Sequence, residues 1–269
     1  MIYTAPITFL SDFGLKDAYV GSVKGMILSL HPAARILDIT HEIPAFDVKA
    51  AAYHLATYYQ FFPNGTIHLA VVDPGVGGNR LPLILKTAKY FFVGPDNGLF
   101  SYVIQNEGIQ AYIINVSKLQ KLKGYEITPS STFHARDIFG PAAAILSRNR
   151  NVQLIADEYS GDLNLLLPKQ SLDQSNLMVR IIRIDRFGNL ITEFHKSHLS
   201  ALQKQKLARI MYKNKNFTAL SDRYEAVAKG KPLVLWGSSG FLEIAVNQGS
   251  AAEYFQTDYE KDRIELDFK

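Results

Sequence analysis

The sequence predicts an α/β protein in two parts: a doubly wound, mostly parallel sheet domain over residues 1–168 and a small C-terminal β-barrel domain over residues 169–269. Three observations support this prediction. Strand-like and helix-like patterns alternate through the first part, as in parallel sheets with helices on both faces. Residues 165–177 are polar with one proline and no periodicity, which is typical of a linker. Short strand-like segments separated by turn residues then follow, as in small barrels.

The elements of the first part can be taken in chain order. An apolar run over residues 7–13 ends in an acid and predicts the first strand, and helical spacing over 18–32 is stopped by Pro32. The remaining patterns predict a strand at 34–40, a helix at 47–63, a strand at 65–74, a hairpin of strands at 81–87 and 89–94, a short helix at 99–108, a strand at 111–116 and a helix at 133–149, which Pro141 starts or kinks.

The second part shows strand patterns almost throughout. They cover residues 178–194, 207–220, 232–238, 241–247 and 263–268. One weak helical pattern interrupts them, at residues 197–205. This arrangement favours a small barrel or sandwich.

Composition excludes several classes of protein. Hydrophobic residues make up 47% and charged residues 20%, as in ordinary globular proteins, and the net charge of +4 is spread along the chain, so we expect no nucleic-acid partner. The absence of cysteine excludes disulfides, a thiolate nucleophile and sulfur-based metal sites. The segment MIYTAPITFL lacks the basic flank of a signal peptide, and no run reaches the roughly 18 apolar residues of a membrane span. We therefore expect a cytoplasmic protein without a membrane partner.

Three acids stand at the predicted carboxyl ends of successive strands: Asp12, Asp38 and Asp73. Ligands bind along that edge of an open α/β sheet. A carboxylate there can accept hydrogen bonds from a ribose diol, which makes Asp12 of SDFG a candidate. An acid that caps a helix or orders a turn fits its position equally well. Asp38 is the more typical structural residue.

The segment VVDPGVGGNR is the most informative one. An apolar strand leads to Asp73, and Pro74 and three glycines follow it, so the backbone there can approach a ligand closely. Arg80 comes seven residues after the acid. The segment lacks the GK[ST] of a phosphate loop and the GxGxxG of a dinucleotide site. It is similar to the glycine loop of class I methyltransferases, but it leads into a strand-like run instead of a helix. On spacing alone, a plain tight turn is the leading interpretation.

His134 lies in STFHARD, near a predicted helix N-terminus whose dipole favours a neutral imidazole. Of the seven histidines, it is the one flanked by Ser, Thr, Arg and Asp instead of apolar residues. A lone histidine is more often structural than catalytic. No HxxxH or HxH pair joins it, so we predict no metal site.

In the second part, RIDRFGNLIT places Asp185, Phe187 and Asn189 around a glycine turn, and WGSSGF supplies Ser238. An aromatic ring close to an amide suits an adenine, which stacks on the ring and hydrogen-bonds at its edge. An ordinary β-turn beside a barrel core explains the same residues, and it is the stronger interpretation when the segment is taken alone.

Together, these segments resemble the S-adenosylmethionine (SAM) hydroxide adenosyltransferase family, which is related to the adenosyl-chloride and adenosyl-fluoride synthases. The resemblance extends from Ile7 to about Ala252. The segments that carry it, in order, are SDFGLKDAYVGSVKG, ILDITHEIP, GTIHLAVVDPGVG, FVGPDNGL, STFHARDIF, IDRFGNLIT and GSSGFLEIAVNQGSAA.

The resemblance implies an N-terminal α/β domain, a C-terminal β-barrel and a homotrimer whose active sites lie between neighbouring subunits. The Asp–Arg–His set of the hydrolytic branch falls on Asp73, Arg80 and His134. Ala135 is a departure, because we expect glycine there, and its methyl group narrows the space near the reacting water. The residues that the resemblance assigns to substrate binding are Asp12 for the ribose hydroxyls, Phe46 for the nucleoside, Phe187 and Asn189 for adenine, Asp185 for the methionine amine and Ser238 for its carboxylate.

The resulting prediction is an enzyme that hydrolyses SAM to adenosine and L-methionine by attack of an activated water at ribose C5′, without a cofactor. Two alternatives stay open: a SAM-dependent halogenase and a non-enzymatic sensor of SAM or adenosine. The carboxylate of Asp73 disfavours the halogenase, because it repels a halide ion. A methyltransferase is a more remote alternative. The expected partner is a small-molecule substrate.

Overall fold

A computed structural model describes residues 4–122, 125, 128–166, 176–196, 198–201 and 206–269. The chain divides into two compact units, Met1–Pro168 and Lys169–Lys269. Most of the linker predicted over residues 165–177 lies outside the described residues, as does the end of the helix predicted over 197–205.

The first unit is built on a seven-stranded sheet with the order β2-β1-β3-β5-β4-β6-β7. Its strands are β1 (Ile7–Ser11), β2 (Ile36–Thr40), β3 (Ile67–Val71), β4 (Pro82–Lys86), β5 (Phe91–Pro95), β6 (Gln110–Ile114) and β7 (Ala156–Tyr159). β1 pairs in parallel with β2 and β3, and β3 with β5. β4 is antiparallel to β5 and β6, and β7 to β6, so five of these seven strands run in one direction. The mostly parallel sheet is confirmed, although the sequence patterns missed β7.

Helices cover both faces of this sheet, which confirms the doubly wound prediction. They are α1 (Tyr19–Leu30), α2 (Val48–Tyr58), α3 (Ser101–Asn106), α4 (Val116–Gln120) and α5 (Gly140–Asn149), with 3-10 turns at Tyr59–Phe61 and Val152–Leu154. Alternate strand residues point to opposite faces. Ile7 and Phe9 of β1 pack in the core that contains α1 and α5, whereas Leu10 packs in the core that contains α2 and α3.

The helix predicted over residues 133–149 is confirmed as α5, which begins at Gly140 with Pro141 in its first turn, as one of the two alternatives had it, but the residues before α5 are not α-helical. Residues Ala135–Phe139 form a π-helix, in which the Gly140 N–H reaches back five residues to the Ala135 carbonyl. The physical reason is Pro141, in the first turn of α5, because its ring excludes the carbonyl of Asp137 and it has no N–H to donate. The hydroxyl of Tyr125 donates to that carbonyl instead, at 2.8 Å.

The second unit is a seven-stranded antiparallel sheet with the order β11-β10-β14-β8-β9-β13-β12. An isolated bridge between Ser221, just after β11, and Leu235 of β12 brings its two edges together, so the predicted β-barrel is confirmed as nearly closed. The strands are β8 (Asn176–Ile184), β9 (Leu190–His195), β10 (Leu207–Tyr212), β11 (Lys215–Phe217), β12 (Pro232–Trp236), β13 (Phe241–Val246) and β14 (Arg263–Phe268).

Short helices accompany the barrel. They are α6 (His198–Ala201), a 3-10 turn at Tyr224–Ala226 and α7 (Ala251–Phe255). The sequence patterns did not predict α7. Its signal was present, because Ser250 caps the helix by accepting the Glu253 N–H, and Ala251 and Phe255 are buried in the barrel core. Among the helices described, none has the length and apolar character to cross a membrane.

Candidate active site

A cavity of about 330 Å³ opens at the carboxyl edge of the first sheet. After β1 the chain forms β2 on one side of β1 and then β3 on the other, which makes this edge a topological switch point, where open α/β sheets bind ligands. The volume of the cavity lies within the range of small-molecule sites, about 300–1,000 Å³. The lining residues are Asp12, Phe13, Tyr19, Ala45, Phe46, Val71, Asp73, Val76, Thr132, Phe133, His134 and Ala135.

Arg80 joins Asp73 to His134. Its Nε donates to Asp73 Oδ1 at 3.0 Å, and its Nη2 donates to Asp73 Oδ2. The same Nη2 lies 2.7 Å from His134 Nδ1. The side chains of Asp73 and Arg80 are only 6% and 9% exposed, so their bidentate pair is largely shielded from water. The three residues predicted to form one catalytic set are therefore connected, with Arg80 in direct contact with each of the other two.

The contact with Arg80 fixes the hydrogen positions on His134. A guanidinium can only donate, so His134 Nδ1 accepts and the neutral ring carries its hydrogen on Nε2. Burial and the adjacent Arg80 charge hold the pKa of His134 below its usual value, against the opposite effect of Asp73 and Asp137. His134 is consequently a neutral N–H donor at neutral pH.

Two contacts hold the loop that carries Asp73. The Asn97 amide donates to the Val72 carbonyl at 2.8 Å, which gives the FVGPDNGL segment a supporting role. Gly77 has a φ of +77°, and a Cβ built on it would stand 2.2 Å from the Ser131 carbonyl oxygen. Only glycine permits this close approach, and it brings the loop against the segment that leads to His134.

Asp137, three residues after His134, fixes the segment that leads to His134. This carboxylate is fully buried, accepts two bonds from Arg136 at 2.6 and 3.0 Å, and accepts the Ser130 N–H at 2.9 Å. Burial alone would raise the pKa of Asp137, but the hydrogen bonds from Arg136 and Ser130 outweigh it and lower that pKa. The π-helix adds a further constraint, since the ring of its last residue, Phe139, lies 5.2 Å from the Arg80 guanidinium.

Asp12 and Phe46 meet at the other side of the cavity. The Phe46 N–H donates to Asp12 Oδ2 at 2.9 Å. Phe46 has a φ of 68°, a left-handed conformation that costs free energy in a non-glycine residue, and its ring is 71% exposed. The structure thus places both predicted nucleoside contacts beside the Asp73–Arg80–His134 set.

The cavity is also lined by three aromatic residues that the sequence patterns did not predict there. The rings of Phe13, Tyr19 and Phe133 pack against one another with centroids 5.3 to 5.9 Å apart. Their signal was their position, because Phe13 directly follows Asp12 and Phe133 directly precedes His134. Asp38, the acid expected to be structural, is ion-paired with Lys24 at 2.5 Å and is absent from the cavity wall.

The predicted residues of the second unit form two separate groups. Asp185 orders a turn: its Oδ1 accepts the N–H groups of Phe187 and Asn189 at 2.8 and 2.9 Å, and its Oδ2 accepts the Asn189 amide at 2.9 Å. Phe187 is 76% exposed, whereas Asn189 is buried. A Cβ on Gly188, whose φ is +82°, would stand 2.2 Å from Ser250 Oγ.

Ser238 is exposed in the hairpin between β12 and β13. β13 runs antiparallel to β9, with Phe241 opposite His195 and Ile244 opposite Leu190. Ser238 therefore lies at the opposite end of this strand pair from the Asp185 turn. Its loop is held by a 3.1 Å contact between His195 Nε2 and the Ser239 carbonyl.

The electrostatics of the cavity in the first unit favour a cationic ligand. Two carboxylates, Asp12 and Asp73, line the cavity; Arg80 is paired with Asp73, and His134 is neutral. These four residues carry a formal charge of −1. Within the described part of the chain, no three His, Cys, Asp or Glu side chains are grouped so that they could hold a metal ion.

The fold and the site define a protein of two units, a β-barrel and an α/β unit. The cavity of the α/β unit is lined by Asp73 and His134, which Arg80 connects. The chain belongs to the SAM hydroxide adenosyltransferase family: residues 7–156 match the N-terminal domain of that family and residues 179–264 its C-terminal domain.

Individual relatives agree with this assignment. The chain is 35% identical to the (R)-S-adenosyl-L-methionine hydrolase of Methanocaldococcus jannaschii, over 97% of this chain and 95% of the relative. It is 32% identical to the protein of that name from Thermus thermophilus, over 92% and 94%. A crystal structure of an uncharacterized conserved protein from Thermotoga maritima superposes with a TM-score of 0.82 and 34% identity, over 97% of this chain and 99% of that one. Fluorinases are more distant, and that of an Actinoplanes species is 25% identical over 91% and 92%.

Proposed function

We propose that this protein hydrolyses SAM to adenosine and L-methionine. The observation that carries the proposal is the contact of Arg80 with both Asp73 and His134, two residues that line the same cavity as Asp12. In the reaction, a water oxygen bonds to ribose C5′ and the C5′–S bond breaks with its electron pair going to sulfur. The products are adenosine, neutral methionine and one proton.

The leaving group sets what the site must supply. A sulfonium departs as a neutral thioether, so the step needs neither a general acid nor a metal. It needs a water held in line with the C5′–S bond and made more nucleophilic. The negative formal charge of the cavity also favours the sulfonium cation over neutral ligands.

We assign these roles to the three residues in contact. Asp73 accepts a hydrogen bond from the water and draws its proton, and His134 donates its Nε2–H to the water oxygen and fixes its orientation. Arg80 holds both partners and stabilises the hydroxide character that develops as the bond forms. Because Nδ1 of His134 is occupied by Arg80, we assign the proton-accepting role to Asp73 and not to His134.

The remaining binding roles complete the proposal. Asp12 binds the ribose hydroxyls and Phe46 packs against the nucleoside. Asp185, Phe187, Asn189 and Ser238 of the second unit bind adenine and the methionine end, in a homotrimer with active sites between subunits and a cytoplasmic location. Support for the Asp12 and Phe46 roles comes from their position beside the Asp73–Arg80–His134 set.

The alternatives fit the geometry less well. A halide ion in this cavity would meet the carboxylates of Asp12 and Asp73, of which only Asp73 is paired with Arg80, so the net negative formal charge repels it. A methyltransferase glycine loop leads into a helix, whereas this loop leads into β4. A SAM or adenosine sensor would need the nucleoside contacts but not a buried Asp–Arg–His contact.

Product analysis tests the proposal. The purified protein is incubated with SAM in H₂¹⁸O, with and without chloride or fluoride, and the products are separated and weighed by mass spectrometry. We expect methionine and adenosine with one ¹⁸O on C5′, unchanged by halide. A 5′-halo-adenosine, S-adenosylhomocysteine or unchanged SAM would each contradict the proposal.

A further inference from the structure

We propose that His41 is a positioning residue of this site: it fixes the turn that carries Asp12 and thereby sets affinity for the ribose hydroxyls of the ligand. His41 lies in the segment between β2 and α2. It has no place in the cavity wall, and its side chain is buried. The inference rests on the proposed function, because it presupposes that Asp12 contacts the ribose.

The side chain of His41 reaches the residue just before Asp12. Its Nδ1 lies 2.8 Å from Oγ of Ser11, the last residue of β1, and both residues are buried. Ser11 Oγ also accepts the Phe13 N–H at 3.4 Å, a long bond that closes a local turn around Asp12. The Ser11 side chain therefore connects the imidazole to the backbone on both sides of Asp12.

The far side of the imidazole faces a carboxylate. His41 Nε2 lies 3.1 Å from Asp38 Oδ1, without the geometry of a well-directed hydrogen bond, and Asp38 is itself paired with Lys24. A carboxylate on that side favours the tautomer with its hydrogen on Nε2. Nδ1 is then an acceptor for the Ser11 hydroxyl, which remains free to accept from Phe13.

Two further bonds tie the same two segments together. The His41 carbonyl accepts the Gly14 N–H at 2.7 Å, and the Phe46 N–H donates to Asp12 Oδ2. Gly14 has a φ of +64°, so the turn over residues 11–14 ends in a conformation that glycine adopts readily. His41 thus holds residues 11–14 at both ends, with its side chain at Ser11 and its carbonyl at Gly14.

The bond between His41 and Ser11 can be tested separately from the packing of the His41 ring. Removing the bond to Ser11 releases one end of the turn, while the ring contact with Phe9, whose centroid lies 4.7 Å away, is a packing contact alone. A loosened Asp12 binds the ribose diol less well, but it does not change the contacts to a nucleoside whose sugar lacks these hydroxyls.

The experiment measures binding of adenosine and of 2′,3′-dideoxyadenosine to the full chain by calorimetry. In His41→Asn the amide occupies the place of Nδ1 and can keep the Ser11 bond. In His41→Gln the amide occupies the place of Nε2 and loses it. We expect His41→Gln to weaken adenosine binding about tenfold or more, as for a lost hydrogen bond that orients a charged group. We expect it to change dideoxyadenosine binding less than about twofold, and His41→Asn to restore adenosine binding to within about threefold.

Lys24→Ala is the matched control, because it removes the ion pair with Asp38 but keeps both partners of the His41–Ser11 bond. We expect it to leave the binding of both nucleosides unchanged. Ser11→Ala, which removes the same bond from the other partner, repeats the test if His41→Gln does not fold, as judged by its thermal midpoint. Equal weakening of both nucleosides, or of neither, overturns the positioning role. If the wild-type chain neither binds adenosine nor releases it from SAM, the proposed function fails and this inference fails with it.

Discussion

Asp73 at the edge of the first sheet and Asp185 in the second unit are both held through both carboxylate oxygens, but in different ways. Asp185 is held by backbone and side-chain N–H groups of Phe187 and Asn189, at most four residues away. Asp73 is held by a guanidinium that also contacts His134, fifty-four residues beyond Arg80. The first arrangement makes a turn, whereas the second brings a charged pair and a neutral imidazole into one cavity.

Removing the charge of Asp73 is the change expected to have the largest effect. Asp73→Asn keeps the shape of the side chain but replaces one carboxylate oxygen by an amide NH₂, which cannot accept a hydrogen bond from Arg80. It also removes the negative charge that draws the proton from water. We expect kcat for adenosine formation to fall about 10³-fold, the effect typical of losing one electrostatic group in an active site. Chromatography of adenosine under saturating SAM measures it.

The matched control is Asp157→Asn. Asp157 is likewise ion-paired, with Lys118 at 2.6 Å, but it lies on β7, away from the cavity. We expect its kcat to stay within about twofold of the wild type, because exposed ion pairs contribute little. A kcat for Asp73→Asn within tenfold of the control would exclude Asp73 from the reacting set.

Two glycines give a paired test of the same contrast. Gly77→Ala drives a Cβ against the Ser131 backbone carbonyl, whereas Gly188→Ala drives one against the Ser250 side chain. Both replacements also strain a positive φ, at a cost of about 1–3 kcal/mol. We expect Gly77→Ala to lower kcat by about 10- to 100-fold, because a misplacement of about 1 Å suffices for that loss.

Gly188→Ala is expected to lower the thermal midpoint and to leave kcat at saturating SAM within about threefold of the wild type. Its turn carries the proposed adenine contacts Phe187 and Asn189, so we expect the kinetic change in KM and not in kcat. Circular dichroism and the adenosine assay on the two variants measure both quantities. An equal loss of kcat in Gly77→Ala and Gly188→Ala would show that the loop after Asp73 does not matter more for the reaction than the Asp185 turn.

The neutral state of His134 predicts how kcat/KM changes at acidic pH. Burial and Arg80 lower its pKa below 6.5, so the working neutral form persists to more acidic pH than for a free histidine. We expect kcat/KM to be constant above pH 6.5 and to decline about tenfold per pH unit below the lowered pKa.

Proton NMR titration of the His134 ring, assigned with His134→Ala, gives that pKa directly. Arg80→Gln should move it upward, because a cation that disfavours the imidazolium is removed. A His134 pKa above 6.5 in the wild-type chain would contradict the neutral state assigned to this ring at neutral pH.

The last prediction concerns folding stability alone, and it compares Asp185 with Ser238. Asp185→Ala removes three hydrogen bonds of one turn, and we expect unfolding to become easier by about 1–3 kcal/mol. The variant Ser238→Ala, in an exposed hairpin, should change stability by less than about 0.5 kcal/mol. Urea unfolding of both variants checks this. Equal stability of Asp185→Ala and the wild type would show that the turn does not depend on its carboxylate.

Local patterns predicted most of the fold. Helical spacing ended at Pro32, and α1 ends at Leu30; the hairpin predicted over residues 81–94 is β4 and β5. Prediction failed where a distant contact decided the outcome. The π-helix before α5 depends on Pro141, but also on Tyr125, which satisfies the carbonyl that the proline frees. No periodicity within residues 133–149 contains that information.

The candidate site divides in the same way. Asp12, Asp73 and His134 could be selected from their places after strands and before a helix. The aromatic wall of Phe13, Tyr19 and Phe133 was missed, because three aromatic residues at these spacings are as typical of a core. The role of His41 was also missed, since the residue is buried and acts through Ser11.

The sequence by itself determined the alternation of elements, the two-part organisation and the turn chemistry of the RFGN segment, because these depend on hydrogen bonds between near neighbours and on hydrophobic period. The tertiary structure decided which polar groups share a cavity and in which protonation state. Arg80 reaches both Asp73 and His134 only because β3 ends beside β1 at the switch point and Gly77 lets its loop approach Ser131. Strand order and close backbone contact set those distances, and neither is written in any single stretch of the chain.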